Sequence, residues 1–412
     1  MHVKSGGFAR LIIIIALGVV LLFVFRIVSE HFLGINPIKF GGSDNKSSNG
    51  MFKEGYVEPG YPIEAGKQLS ANHCQGEGMP YKLSVSPMKL EDFTHIEPYG
   101  LMIGDHVTPI DHQYFSPTIF HSPKDTYDVY AMADSKIVSI ETHPTRIRLI
   151  FSITCTFFYY YDLVTSLEPE IKDKKLPISV KAGQLIGHIG GQTLDFAVWD
   201  TTKPLPGFIV PEHYQAEPWK IYTQDPLDYY TDEIKEQISS KYVRTVEPTS
   251  GKIDYDIDGK LIGNWFEESR DGYAGDSTDP GKEYWKEHLS IAPFALDPTA
   301  FIISVGFLAN ENGIAGNQFS IPRDAPDPAT VGVENGLVEY ELRTWKDVKE
   351  DGSKWDHFSA TKGIKLNNDN FPIQGCAVVQ LLEKRKLKFE VFLRQSCENV
   401  SNFSSNAKIY ER

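Results

Sequence analysis

The sequence predicts a mainly β chain: an N-terminal transmembrane helix, then an antiparallel β domain and a second β-rich domain of barrel or sandwich type. Three observations carry this. Twenty tyrosines and 24 phenylalanines among 412 residues favour pleated, half-buried surfaces. Short apolar runs separated by Gly, Pro, Asn and Asp recur along the body, without the long helical patterns of a parallel βαβ sheet. Residues 11–25, LIIIIALGVVLLFVF, carry no charge, and with their flanks they reach about 20 residues, the length of a bilayer span.

Each segment follows in order. Lys4 and Arg10 precede the apolar run, which places residues 1–10 in the cytoplasm and the body outside it. No small-x-small cleavage pattern follows, so residues 11–28 are expected to remain as a signal anchor in the cell membrane. Residues 29–74, with GGSDNKSSNG, form a tether. The first β domain spans 75–243, with strands at YDVYAMA, KIVSIET, RIRLIFSITCTFFYYY, PISVKAGQLIG and TLDFAVWD. A helix is expected within 226–242, beginning at Pro226, with Leu227, Ile234 and Ile238 on one side. Residues 244–252 form a linker. The second β domain spans 253–412, with strands at KLIGNWF, FIISVGFL, GLVEYELRTW, CAVVQLLE and LKFEVFLR.

The net charge of −14 excludes a nucleic-acid partner, since a phosphate backbone needs a basic surface. Cys74, Cys155, Cys376 and Cys397 are free to pair outside the cytoplasm, and four cysteines allow three connectivities. Cys376–Cys397 is the expected bridge, because the strands they flank are candidate neighbours, with Cys74–Cys155 as the remainder. The alternative leaves Cys155 as a free core residue. The spacings are not those of a zinc knot.

Two stretches place metal-binding chemistry together. GDHVTPIDHQYF, residues 104–115, crowds His106, Asp111 and His112; in an extended strand the two histidines share a face and Asp111 joins them only through a bulge at Pro109. In GQLIGHIGGQTLDFAVWD, residues 183–200, Leu194, Phe196 and Val198 alternate against Thr193, Asp195, Ala197 and Trp199, which sets a carboxylate inside an otherwise apolar strand. His121, His143, His188 and His213 lie in the same region; a rearranged site through His112 or His188 is the weaker reading. DYDIDGKLIGNW, residues 254–265, opens like a calcium loop but has Trp265 where the loop needs Glu. A hairpin turning at Asp258–Gly259 is the favoured reading. The tyrosines 159–161 with Tyr284 and Trp285 are either a sugar-stacking platform or core.

The order HVTPIDH, VYAMADSKIVSIE, YYYDL and VKAGQLIGHIGGQTLDFAVWD resembles the lysostaphin-type (M23) peptidase domain. The resemblance implies an antiparallel β fold that, in the family, cuts peptidoglycan cross-links with zinc. Carried over by position, His106 stands for the first zinc ligand, Asp111 for the second with one residue too many between them, and Asp195 for the third. Asp162 and Thr193 stand where the family has its two catalytic histidines. The resemblance therefore implies no working catalytic residues and no cofactor. A divalent metal at His106, Asp111 and Asp195 (zinc, manganese or calcium) is the alternative, the added carboxylate making the donor set harder than the family's. The function expected is a membrane-anchored extracytoplasmic binding or structural protein that engages an envelope glycan, peptide or protein. The alternative is a metal-dependent envelope hydrolase. GNW at 263–265 further resembles the G-x-W of lipocalin-like barrels, in which an arginine packs over the tryptophan; Arg412 is its counterpart here.

Overall fold

The computed structural model describes residues 81–154, 156–276, 283–306, 308 and 317–412. The expected anchor at 11–28, the whole tether at 29–74, and Cys74 and Cys155 lie outside these residues. Among the described residues, no helix is long and apolar enough to cross a membrane. The described residues belong to one unit by their contacts.

The apolar runs become strands. In the first half these are β1 (Phe93–Glu97), β2 (Gln113–Pro117), β3 (Tyr127–Tyr130), β4 (Ser135–Thr142), β5 (Ile147–Ser152), β6 (Phe157–Val164), β7 (Ser166–Leu167), β8 (Ile178–Val180), β9 (Leu185–Ile189), β10 (Leu194–Asp200) and β11 (Thr223–Gln224). The main sheet has the order β1-β2-β10-β6-β5-β4-β8, with β11 on β10; β3, β9 and β7 make a second, small sheet. All pairings between these strands are antiparallel.

The alternation in β10 decides how the sheet packs. Leu194, Phe196 and Val198 join Phe115, Tyr159 and Tyr161 in one core. Ala197 and Trp199 join Phe158 and Tyr160 in another, roofed by Phe208, Tyr214, Ile221 and Tyr222 from the 205–222 segment and by Phe266 from the second half. Both faces are therefore covered, and every residue of β10 is buried. The tyrosine run is core on both sides, not a sugar platform: Tyr160 stacks on Trp199 at 5.0 Å, while Tyr159 and Tyr161 are fully enclosed.

The second half is a closed barrel of β12 (Gly263–Glu267), β13 (His288–Pro293), β14 (Phe301–Val305), β15 (Gln318–Ser320), β16 (Leu337–Arg343), β19 (Ile373–Glu383), β20 (Lys386–Leu393) and β21 (Lys408–Glu411). A hairpin of β17 (Lys346–Val348) and β18 (Lys365–Asn367) is inserted after β16. Eight strands leave an interior that side chains can fill. Trp265, Ile291, Ile303, Tyr340 and Phe389 are among those that fill it. Arg412 lies over the Trp265 ring at 3.9 Å, donates to Ile262 O at 2.6 Å and pairs with Asp256 at 3.2 Å, so the expected arginine–tryptophan contact is present. Cys376 and Cys397 are bonded as expected, tying β19 to the turn after β20.

The structure sharpens four local expectations. The helix over 226–242 is shorter: Asp225 caps a 3-10 turn at Pro226–Asp228 by accepting from Leu227 N, and the α-helix runs only Asp232–Ser239. The D-x-D-x-D-G stretch turns at Asp258–Gly259 as expected, Lys260 N donating to Ile257 O at 3.0 Å, but no strand pair flanks the turn and the carboxylates do not gather as in a calcium loop. Asp254 accepts from Gly207 N, Asp256 holds Asn264 N and Arg412, and Asp258 meets Arg385, so the three carboxylates are spent on three different elements. Residues 244–252 are packed: Arg244 is buried and donates to Val246 O, Pro248 O and Ala295 O. Tyr99 N donates to Ser250 O, and Gly251, at φ 93°, lies so close to Tyr99 O that a side chain there would collide with it. Residues 104–112 are loop, not strand, so the shared-face geometry proposed for His106 and His112 does not apply.

Candidate functional site

Asp195 sits in β10 opposite Tyr114 of β2 and Asp162 of β6. Residues opposite one another share a face, so a carboxylate, a phenol and a second carboxylate line up across three strands beneath the 205–222 segment. The 104–112 loop adds Asp111 and His112 to this face immediately before β2 begins.

His112 is the centre of the group. Its Nδ1 meets Asp111 Oδ1 at 3.2 Å; its Nε2 lies 3.2 Å from the Tyr114 hydroxyl and 3.5 Å from Asp195 Oδ2. The imidazole thus bridges two carboxylates. Burial alone would lower its pKa, but Asp195 and Asp111 outweigh burial and raise it. Asp195 also accepts from Thr193 Oγ1 at 3.2 Å, and burial pushes its carboxyl up to about 7.

The other oxygen of Asp111 is taken from the roof. Pro218 starts a 3-10 turn, Pro218–Tyr222, that points Trp219 and Lys220 downward. Trp219 Nε1 donates to Asp111 Oδ2 at 3.1 Å, and Lys220 Nζ meets the same oxygen at 3.3 Å. Lys220 is 2% exposed, and its ammonium also faces the Tyr273 ring at 5.1 Å and Glu217 at 4.0 Å. Burial opposes ionisation of Asp111, and the Lys220 charge with the His112 contact overcomes it, holding the carboxyl below its usual range. Both oxygens of Asp111 are engaged.

Asp162 lies at the edge of this face. Arg146 binds it, Arg148 reaches it at 2.9 Å and 3.0 Å, and Leu163 N donates to it at 2.7 Å. Burial would raise its pKa; the two guanidinium groups lower it instead. A carboxylate held ionised in this way is a weak proton acceptor. His106 meets His112 edge-on at 5.6 Å, and burial, followed by the charges of His112 and Lys220, pushes its pKa down to about 3. The His106, Asp111 and Asp195 donor atoms do not close on a common point. Among the described residues, the cluster of three donors within 4.8 Å is Glu339 with Cys376 and Cys397, and those sulfurs are bonded to each other.

The structure therefore brings together Asp111, Asp195, Thr193 and His112, with Asp162 at the margin and His106 against the His112 ring. His188 is elsewhere, between Asp128 at 3.3 Å and Glu168 at 3.6 Å on the small sheet. Lys220, Trp219 and Glu217 were not singled out from the sequence. Their one signal is that PWK opens on a proline able to start a turn.

No family model matches the chain, and no curated protein matches it. Among solved structures, Helicobacter pylori Csd3 aligns at 17% identity and TM-score 0.23, over 30% of this chain and 33% of that one. The chain thus spans about a third of the Csd3 structure. The catalytic domain of lysostaphin from Staphylococcus simulans aligns at 21% identity and TM-score 0.23, over 35% of this chain and 96% of that one. A solution structure of lysostaphin aligns at 14% and 0.24, over 70% and 98%. At these values the β architecture stands on the strand pairings described above.

Proposed function

We propose that the chain is a membrane-anchored, extracytoplasmic binding or structural protein built on a non-catalytic M23-like domain. One observation carries the reading: the buried Lys220 ammonium rests on Asp111. A protein cation already occupies the carboxylate that the family resemblance assigns to zinc. A divalent ion brought beside it would meet like-charge repulsion in a poorly screened interior. The roof supports the same reading, since Asp111, His112 and Asp195 are all less than 10% exposed, whereas a hydrolytic site needs an open position for water and substrate. The groups standing at the family's catalytic positions are a hydroxyl bonded to Asp195 and a carboxylate bound by two arginines. The partner is an envelope glycan, peptide or protein met at the outer surface.

The test uses the full-length chain with cross-linked peptidoglycan, in the presence of Zn²⁺ or Mn²⁺ and again with chelator. The expected result is co-sedimentation with the polymer and no release of fragments. Chelator-sensitive cleavage that disappears in His106→Ala and Asp195→Ala would establish the alternative, a metal-dependent hydrolase.

A further inference from the structure

A second group of histidines and carboxylates lies outside the face just described, where β1 meets the loop between β17 and β18. His95, on β1, is 1% exposed. Its Nδ1 lies 2.8 Å from Thr94 Oγ1. That hydroxyl has two backbone carbonyls within reach, Ser116 O at 3.4 Å and Phe358 O at 3.5 Å. A carbonyl only accepts, so a hydroxyl donating to either one takes its remaining hydrogen bond from His95 Nδ1–H. In that tautomer the proton is on Nδ1 and Nε2 carries the lone pair.

That lone pair has no hydrogen-bond partner and faces Glu97 Oε1 at 3.9 Å. Two acceptors confront each other in the interior, an arrangement that becomes favourable when a cation stands between them. His357 completes the group from the opposite side. Its Nδ1 is 3.5 Å from the same Glu97 oxygen, and its Nε2 is held by Asp347 Oδ2 at 3.1 Å. The Trp355 ring packs against both imidazoles, His95 edge-on at 5.5 Å and His357 at 4.3 Å. In each histidine the far nitrogen is anchored by an oxygen while the near nitrogen points at one carboxylate. This is how metal-binding imidazoles are oriented: the outer partner sets the tautomer and aims the ring.

We propose that His95, Glu97 and His357, oriented by Thr94 and Asp347, form a binding site for a divalent transition metal of the zinc type. Two imidazoles and a carboxylate suit such an ion better than Ca²⁺ or Mg²⁺, which favour all-oxygen sets. The three donor atoms do not all lie within 4.8 Å of one another, so closure requires His357 to swing inward. Its side chain is 45% exposed, which leaves it free to do so and gives the ion a way in. Asp347 stays on the far nitrogen as the orienting group, and solvent completes the coordination. Bound there, the ion clips the first sheet to the hairpin inserted in the barrel.

The test is calorimetric titration of the chelator-stripped full-length chain with Zn²⁺ alone. One equivalent is expected. His357→Ala and Glu97→Gln, both at partly exposed positions, should each weaken binding by at least about 100-fold, and Asp347→Asn by about 10–100-fold. Replacing Zn²⁺ with Co²⁺ should quench tryptophan fluorescence through Trp355, and the quenching should vanish in His357→Ala. Failure to bind an equivalent, or unchanged binding in both His357→Ala and Glu97→Gln, overturns the proposal. Binding that instead vanishes in Asp195→Asn places the ion in the other cluster and overturns this proposal together with the non-catalytic reading. Loss confined to the Glu97 and His357 variants leaves that reading intact.

Discussion

Two groups of imidazoles and carboxylates lie in this chain, and they differ in what faces the carboxylates. At Asp111 the charge is met from within, by the Lys220 ammonium, Trp219 Nε1 and His112. At Glu97 the near nitrogens of two histidines converge at 3.9 and 3.5 Å, one of them without a hydrogen bond, and no lysine or arginine forms an ion pair with it among the described residues. The difference teaches that donor residues alone do not define a cation site. A carboxylate met by a lysine ammonium is closed to a metal; one met by imidazoles can exchange their protons for an ion from solution.

The largest effect that would test this contrast is expected from Lys220→Met. It removes the internal cation and leaves Asp111 buried beside a single imidazole, so stability should fall by about 3–5 kcal/mol in denaturant melts. A loss below about 1 kcal/mol would mean that Lys220 does not neutralise the site. Next comes Asp195→Asn. An aspartate of unfolded pKa about 3.9, raised to about 7 in the fold, binds its proton more tightly when folded, so wild-type stability should fall as pH rises from about 4 to 7. The amide escapes this, and the variant should exceed wild type at pH 8 by about 4 kcal/mol, with the gap closing near pH 4. A gap that is constant with pH would show that Asp195 is ionised throughout.

Smaller effects follow at both clusters. Zn²⁺ at about 100 times its Kd should stabilise wild type by about 2.7 kcal/mol in a thermal melt and leave His357→Ala unmoved. Thr193→Val, which removes the hydroxyl bonded to Asp195 at 3.2 Å, should cost about 1 kcal/mol. In chelator, His357→Ala should cost less than about 1 kcal/mol, since the residue is half exposed. Equal sensitivity of the two clusters to chelator and to zinc would dissolve the comparison.

Local alternation was enough to find β10 and its two faces, and to ask why Asp195 sits among apolar neighbours. It was not enough to answer. The cation on Asp111 comes from Lys220, far along the chain on a turn whose position depends on the roof packing over Tyr160 and Trp199. His112 was in view, but its role depended on Asp111 turning inward, which a strand reading of 104–112 allowed only through a bulge at Pro109. The calcium-like stretch misled for a related reason: its aspartates fit a spacing, while their partners Gly207, Arg412 and Arg385 lie far from them in sequence. GNW succeeded because its counterpart, Arg412, is dictated by the closure of a barrel over a buried indole. His95 and His357 are joined only by the fold and leave no local trace.

The close approach at Tyr99 and Gly251 has a mechanical consequence. With backbone pressed on backbone and Arg244 fastened to Ala295 O alongside, the stretch that leads from the first sheet to the barrel has no slack to unwind. Tension applied between the two ends of residues 81–412 would be borne by strand pairs and ion pairs loaded together, so the unit should yield in a single rupture under a pulling force.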